Sequence, residues 1–425
     1  MDEAEYDRTR LAQWLAGEAR ADGITRRDLM RLSASLGVGV AAGAAVATAP
    51  AAAAAPAAAG VAAAVDPPIL KPLPAELFTV FGTNAETKWE ALRDTGYLVP
   101  VDRFFVRNHT LTPRIDAGDW RLRLYGTGLR GAPTAERPVE FTYRQLRALP
   151  SDTVTAAVEC AGNGRSFFAS QQGQAASGTA WKLGAIGVAR WRGVRLSTVL
   201  KRAGLTRGAV DAQPVGLDPD FVSGGVNLGP VRRPLPIEKA LHDVLLAYEM
   251  NGEPLPPDHG FPVRVVVPNW IGVASIKWLG QLEVSAEPLF SPWNTQFYRL
   301  FGPTYPADGE LVSRQAVKSA FELPWEATLC AGRQVLRGRS WSGNGRIRRV
   351  EVSVDGRTWR PARPIGRGLG TAWQRWEYEW RAAPGAYALR ARATDVEGVT
   401  QPETVPHNAL GYLFGAIVRH PVTVV

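Results

Sequence analysis

The chain of 425 residues reads as an α+β domain followed by an all-β sandwich, preceded by a segment that belongs to neither. Three observations lead there. Apolar residues make up 45% and charged residues 21%, a globular balance. Up to about Glu310, strand-like and helix-like runs are mixed. From about Leu311 the texture changes to short alternating strands separated by turn signals.

The first 65 residues come first in that order. ITRRDLMRLSASLGVGVAAGAAVA places Arg26-Arg27 before an apolar run, and no charge occurs from Leu32 to Val65. The pattern is that of a twin-arginine export signal, with a small-residue stretch, ATAPAAAAAPAAA, suited to signal peptidase. An Ala-rich arm and an uncleaved anchor are the competing readings. The expectation is an exported, periplasmic or secreted protein whose residues 1–65 form no fold. Twin-arginine transport carries proteins folded inside the cell, commonly around a cofactor. The mature part has no second run long and apolar enough to span a membrane.

In residues 66–310, DWRLRLYG (Asp119–Gly126) and FPVRVVVP (Phe261–Pro268) alternate as strands do. FTYRQLRALP (Phe141–Pro150) and LSTVLKRAGL (Leu196–Leu205) carry apolar residues at helical spacing. Ala209 to Pro236 is rich in Gly and Pro and reads as irregular, a place for site loops. In residues 311–425, QVLRGRSWSG, RIRRVEVSVDG, WQRWEYEW and AYALRARATDVEG, broken at SGNG, VDGR and APG, read as an immunoglobulin-like sandwich. Fourteen Trp point to well-packed cores or aromatic clefts.

Net charge is +9, but the basic residues are scattered and no nucleic-acid module accompanies them. Attraction of small anions into a cleft fits better. The two cysteines are the chemical question. Cys330, in ATLCAGRQV, reads as a small buried hydrophobe. Cys160 sits in VECAGNGRSFF, a small-residue turn between an acid and an arginine. By residue type it is a core thiol, a nucleophile or a metal ligand. The main domain holds only His109, His242 and His259, and none is assignable as its base from sequence. No C-x-x-C or H-E-x-x-H occurs, so a lone thiolate could hold a metal only if another molecule supplied the other ligands. A pterin dithiolene does so for molybdenum, which suits soft sulfur donors.

FFVRNH (Phe104–His109), ECAGNGR (Glu159–Arg165), GTAWKLGAIGVARWRGVRL (Gly178–Leu196), DVLLAYEMNGEPLPPDHGFPVRVVVP (Asp243–Pro268) and IKWLGQLEVS (Ile276–Ser285) together resemble the sulfite oxidase family of molybdopterin enzymes. RGRSWSGNGRIRRVEVSVDGRTW resembles that family's dimerisation domain. The resemblance covers nearly the whole mature chain in order. It implies an α+β molybdopterin-binding domain of sulfite oxidase type, residues 66–310, followed by an immunoglobulin-like dimerisation domain, residues 311–425. It implies Cys160 as the molybdenum ligand. It places Arg107, Arg165 and Trp181 around an oxyanion pocket and Tyr298, in SPWNTQFYRLF, beside the molybdenum oxo group. His109, Lys277, Asn108 and Phe105 fall on the cofactor side; a satisfied structural histidine and a solvated strand lysine are the plain alternatives for the first two. Asp258, His259 and Gly260 read as a structural loop.

The chemistry agrees with those residue types. A thiolate tunes a metal, an arginine fork recognises an oxyanion, and a phenol can hydrogen-bond an oxo ligand and relay a proton. Gly162 and Gly164 are expected to let backbone approach a bulky cofactor. Gly164 and Leu410 stand where vertebrate members carry further arginines, which makes the pocket less positive. The resemblance implies oxidation of sulfite, or a similar small oxyanion, to sulfate by oxygen-atom transfer. A homodimer is implied, and electrons pass to an external carrier such as a cytochrome c, since no haem motif is present. Oxidation of another sulfur compound and reduction of an S- or N-oxide share the fold. A cofactor-free extracellular binding protein is the reading from another class.

Overall fold

The computed structural model describes residues 5, 6, 8–10, 13 and 67–425. Two sheets build the first domain. One runs in the order Leu235–Pro236, Asp211–Gly216, Leu279–Ser285, Arg121–Tyr125, Val139–Thr142. Leu279–Ser285 pairs parallel to Arg121–Tyr125 and antiparallel to Asp211–Gly216. The other is antiparallel: Glu253–Pro254, Leu245–Met250, Ile186–Arg195, Ser151–Glu159, with Arg264–Val266 also paired to Leu245–Met250.

Alternation along the strands decides what each face packs against. Leu246 and Val194 join Leu122, Leu124, Leu282 and Val284 in a core between the sheets. The neighbours of Leu246, Leu245 and Ala247, point the other way, into a second core shared with Trp341 and Trp373 of the C-terminal domain. The second sheet is therefore covered on both faces, and its strands read as apolar runs. Trp89 stacks on Trp341 at 6.0 Å, so the two domains meet through a packed aromatic contact.

The helices follow local signals. In Leu196–Arg202, Leu196, Val199 and Leu200 are buried at helical spacing, and the chain turns out at Gly204 with φ +90°. The FTYRQLRALP run divides: Val139–Thr142 is a strand, and Tyr143–Arg147 is a helix capped reciprocally by Thr142 and Gln145. The stretch from Ala209 to Pro236 is not wholly irregular. Asp211–Gly216 is a fully buried strand inside the first sheet. Pro214 and the polar Asp211 and Gln213 hide it from a reading by alternation.

Glu310–Leu311 pairs back onto Arg299–Leu300, and the second domain's first strand is Lys318–Phe321. That domain has a sheet in the order Lys318–Phe321, Gly332–Trp341, Gln374–Ala382, Arg363–Ile365. It faces another in the order Ala327–Leu329, His420–Val424, Gly385–Asp395, Ile347–Ser353, Arg360–Pro361. Leu336, Trp376, Val352 and Leu389 fill the space between, as in an immunoglobulin-like sandwich. Cys330 departs from expectation: it is exposed just past strand Ala327–Leu329, and both cysteines are free thiols.

Among the described residues no helix is long and apolar enough to cross a membrane. Arg26-Arg27 and the apolar run after them lie outside the described residues. The expectation that nothing before residue 66 joins the fold fails at Tyr6 and Arg10, which are buried against the first domain.

Candidate active site

Cys160 follows directly on strand Ser151–Glu159, so its position is set by the sheet. Its backbone N–H donates to Ala185 O at 2.9 Å. Asn163 ties the turn shut: Nδ2 donates to Glu159 Oε1 at 2.9 Å, and Oδ1 accepts from Ala185 N at 3.0 Å. Glu159 is itself buried and paired. Lys318 Nζ, from the second domain, donates to Glu159 Oε1 at 2.8 Å and to Asn163 O at 2.7 Å. Lys318 thus clasps the turn that carries the thiol.

Cys160 opens onto a cleft of about 710 Å³, open mouth included, lined among others by Phe105, Arg107, His109, His259, Lys277 and Tyr298. Asn108, Asp218, Asp258 and Arg264 complete its polar wall. Arg107 and Cys160 line the same cleft, and the Cys160 side chain favours the arginine's charge. Burial opposes its charge, but Tyr298, Cys160 and Tyr412 together raise its pKa. Its Nη1 is buried with no hydrogen-bond partner among the described residues.

The Lys277 ammonium bonds Asn108 Oδ1 and donates to Asp258 O at 2.8 Å. Burial, and then the Arg264 charge, hold it well below the ordinary lysine range. Arg264 is spent on His259 O (3.1 Å) and Ser275 O (3.0 Å), and burial lowers its pKa to about 9. Asp218, on the same wall, is pushed up by burial to about 6. Asp258 is the organiser: it accepts the backbone N–H groups of Leu70 and Lys71 and the Thr112 hydroxyl, and Thr112 in turn holds Asn108. The structural reading of Asp258 therefore stands, but His259 does more than support. It faces the cleft, and its Nε2 is buried without a partner among the described residues. Burial, with Lys71 beside it, keeps its pKa well below the usual value, so it is neutral.

His109 is likewise held neutral by burial and by Arg107 and Lys277. Its Nε2 accepts from Trp293 Nε1 at 3.2 Å and lies 3.4 Å from Tyr298 Oη. Tyr298 has φ +58°, a strained conformation for a tyrosine, next to the Cys160 site. Burial raises its pKa, partly offset by Arg107, so the phenol keeps its proton. Tyr412, from the second domain, stacks flat on it at 5.1 Å and 10°.

Two expected pocket residues lie elsewhere. Arg165 does not line the cleft. It donates to Leu410 O at 2.8 Å and Thr179 O at 2.9 Å, with its guanidinium 5.4 Å from the Tyr412 ring centroid. It braces the Asn408–Leu413 loop; Leu413 N in turn donates to Ala161 O at 2.8 Å. Trp181 is buried in the core, edge-on to Phe81 at 5.5 Å. The glycines serve packing here. A Cβ on Gly162 would collide with the Arg165 guanidinium, and one on Gly164 would press on Phe414.

The structure thus gathers Cys160, Arg107, His109, Lys277, Asn108, Phe105 and Tyr298 on one cleft. Sequence reasoning missed Arg264, His259, Asp218 and Tyr412. Arg264 had a signal, a charge inside the apolar strand FPVRVVVP. Tyr412 had none, because its contact spans 114 positions. The donor set fits an anionic, phosphate-bearing cofactor with a metal. A soft thiol faces buried positive charge, and two orphaned nitrogens, Arg107 Nη1 and His259 Nε2, point to groups the protein does not supply.

Fold and cleft define a cofactor-holding α+β domain clasped by a β-sandwich, and comparison with known proteins identifies both parts. The family model of the oxidoreductase molybdopterin binding domain matches residues 109–293, and that of the Mo-co oxidoreductase dimerisation domain matches residues 316–424. Sulfite oxidase of Gallus gallus is 36% identical over 345 residues, covering 76% of this chain and 72% of that protein. Mitochondrial sulfite oxidase of Homo sapiens is 36% identical over 343 residues, and the chain spans only 60% of its length. The sulfane dehydrogenase SoxCD from Paracoccus pantotrophus is similar in structure, with a TM-score of 0.66 at 30% identity, over 79% of this chain and 82% of that one. This chain belongs to the sulfite oxidase family of molybdopterin-dependent oxidoreductases.

Proposed function

We propose that the protein oxidises sulfite with water to sulfate, releasing two protons and two electrons to an external carrier such as a cytochrome c. One observation carries the reading: Arg107, on the same cleft as Cys160 and Tyr298, keeps a buried Nη1 that no described residue satisfies. When bound, the molybdenum cofactor supplies the oxo group and takes up the electron pair. The chain's residues do the rest. Cys160 offers a soft anionic ligand. Lys277, with Asn108 beside it, would meet the negative end of the cofactor, and Arg264 would add positive charge behind them. Arg107 offers a charged N–H to the sulfite oxygens. Tyr298 holds a proton at Oη, close to the His109 Nε2 acceptor. The second domain is a homodimer interface on this reading, and Arg26-Arg27 directs export to the periplasm or beyond.

A second reading is oxidation of another reduced sulfur compound. Its support is that Leu410 brings Arg165 a carbonyl and no charge of its own, and that Tyr412 stacks on Tyr298, the phenol of the cleft.

The test is metal-loaded full chain assayed with sulfite, thiosulfate and a sulfoxide, beside Cys160→Ser. Sulfite turnover is expected in the native protein. In Cys160→Ser it should fall at least about a hundredfold, as even losing a supporting partner of a metal site can cost that much. Pterin should be retained. Native-like turnover in the variant removes Cys160 as ligand, and turnover of thiosulfate in preference to sulfite moves the assignment to the second reading.

A further inference from the structure

Tyr6 and Arg10 stand on helical backbone four positions apart, so their side chains share a face. Both are buried, at 6% and 5% exposure, by residues about two hundred positions away. Tyr6 Oη donates to Asp211 Oδ1 at 2.6 Å. Arg10 places Nη2 3.4 Å from the same oxygen and Nε 3.4 Å from Oδ2. The Arg10 guanidinium also lies 4.7 Å from the Tyr6 ring centroid. Asp211 itself is wholly buried at the start of its strand, and Oδ2 accepts the Leu289 N–H at 2.8 Å. The surrounding cavity is walled by Ala209, Val210, Pro236, Ile237 and Lys239.

A carboxylate so deeply placed needs donors and a countercharge. The first domain gives Asp211 one, the Leu289 N–H; the hydroxyl and the guanidinium come from the amino-terminal segment. We propose that this cradle is a docking site for the chain's own amino-terminal segment, held at Tyr6 and Arg10. It is a latch that closes only after folding has joined Asp211, Pro236 and Leu289, which are scattered in sequence. A short segment that docks through Tyr6 and Arg10 cannot find such a site on an unfolded domain. On the export reading of Arg26-Arg27, the latch ties the segment ahead of the paired arginines to the folded state of the catalytic domain. The docking itself does not depend on that reading, nor on the reaction catalysed.

The experiment is hydrogen–deuterium exchange of the full chain, with Arg10→Gln and the double variant Tyr6→Ala/Arg10→Ala. Both substitutions lie outside the two domains, so circular dichroism should be unchanged. Amides of residues 5–13 should exchange at least about tenfold more slowly in the native chain than in the double variant. The amide of Leu289 should lose protection in the same variant, and Arg10→Gln should fall between. Asp211→Asn, which keeps an acceptor for Leu289, should free the segment as the double variant does. Protection should not depend on protein concentration. The latch is overturned if residues 5–13 exchange at the rate of an unstructured peptide in the native chain. It is equally overturned if protection survives the double variant, or if it rises with concentration, which would seat the segment on a second copy.

Discussion

Lys318 is buried, Lys277 partly buried, and the two lysines do opposite things. Lys318 meets a carboxylate, Glu159, at 2.8 Å, and both side chains are about 2% exposed. Lys277 meets an amide oxygen and a carbonyl, and loss of hydration, then the Arg264 charge, depresses its pKa. The first region is electrostatically closed and joins two domains. The second carries positive charge that Asp258 and Asp218 offset only in part, and an anion from outside would relieve the rest. Arg165 and Arg107 repeat the contrast: one spends its N–H groups on carbonyls, while the other keeps Nη1 unpartnered among the described residues. A satisfied buried charge marks construction, and an unsatisfied one marks a place for a ligand.

The sharpest way to break the contrast is Lys318→Met. It strands the Glu159 carboxylate in a dry interface, and the expected loss is about 3–5 kcal/mol of stability. Denaturant titration should show it, and adding Glu159→Gln should restore a large part. If Lys318→Met alone costs less than about 1 kcal/mol, the clasp is not a buried ion pair in energetic terms.

Arg107→Gln comes next and acts on function. Deleting the charge while keeping shape should cost roughly 1.5–3 kcal/mol in sulfite kcat/KM, with most of the loss in KM and weaker inhibition by sulfate. A neutral sulfoxide should be affected far less. Unchanged sulfite kinetics and sulfate inhibition would remove the anion pocket.

Lys277→Met should change stability in the direction opposite to Lys318→Met. The native lysine pKa is depressed, so the unfolded chain binds more protons and stability rises with pH up to the ordinary lysine value near 10.4. Without cofactor, the variant should be more stable by about 1 kcal/mol or more at neutral pH, a gain seen when buried charge gives way to apolar volume. That gain should shrink towards pH 10, while pterin retention falls. A variant less stable than the native apoprotein at pH 7 would make Lys277 a structural residue.

The smallest effect is expected from Tyr412→Phe. It preserves the stack on Tyr298 and removes only the hydroxyl, so stability should fall by no more than about 1.5 kcal/mol. Sulfite kcat/KM should drop by less than tenfold, and Tyr412→Val, which also loses the stack, should drop further. Equal kinetics in both variants would detach Tyr412 from the positioning of Tyr298.

Much of the fold and of the cleft is legible in the order of residues. The change of texture near Leu311, the helix at Leu196–Arg202 and the strands around Arg121 and Arg264 follow from spacing and turn residues, which act within one element. The motif residues Cys160, Arg107, His109, Asn108, Lys277 and Tyr298 do share one cleft. The strand Asp211–Gly216 escapes such a reading because its neighbours, Leu235–Pro236 and Leu279–Ser285, hold it in a sheet against its own weak local signal. Cys330 escapes it because a flanking sequence does not say which side of a sandwich faces water.

The residue pattern alone determined the two-part architecture and the kinds of groups at the site, since periodicity, turn chemistry and donor type are local properties of the chain. Tertiary structure alone decided how those groups are used. Arg165 became a brace, Trp181 became core, Tyr412 came to lie on Tyr298, and Tyr6 and Arg10 reached Asp211 across about two hundred positions. Burial and charge neighbourhood arise only when distant segments meet, and they determine whether an arginine or lysine is satisfied or left with donors for a ligand.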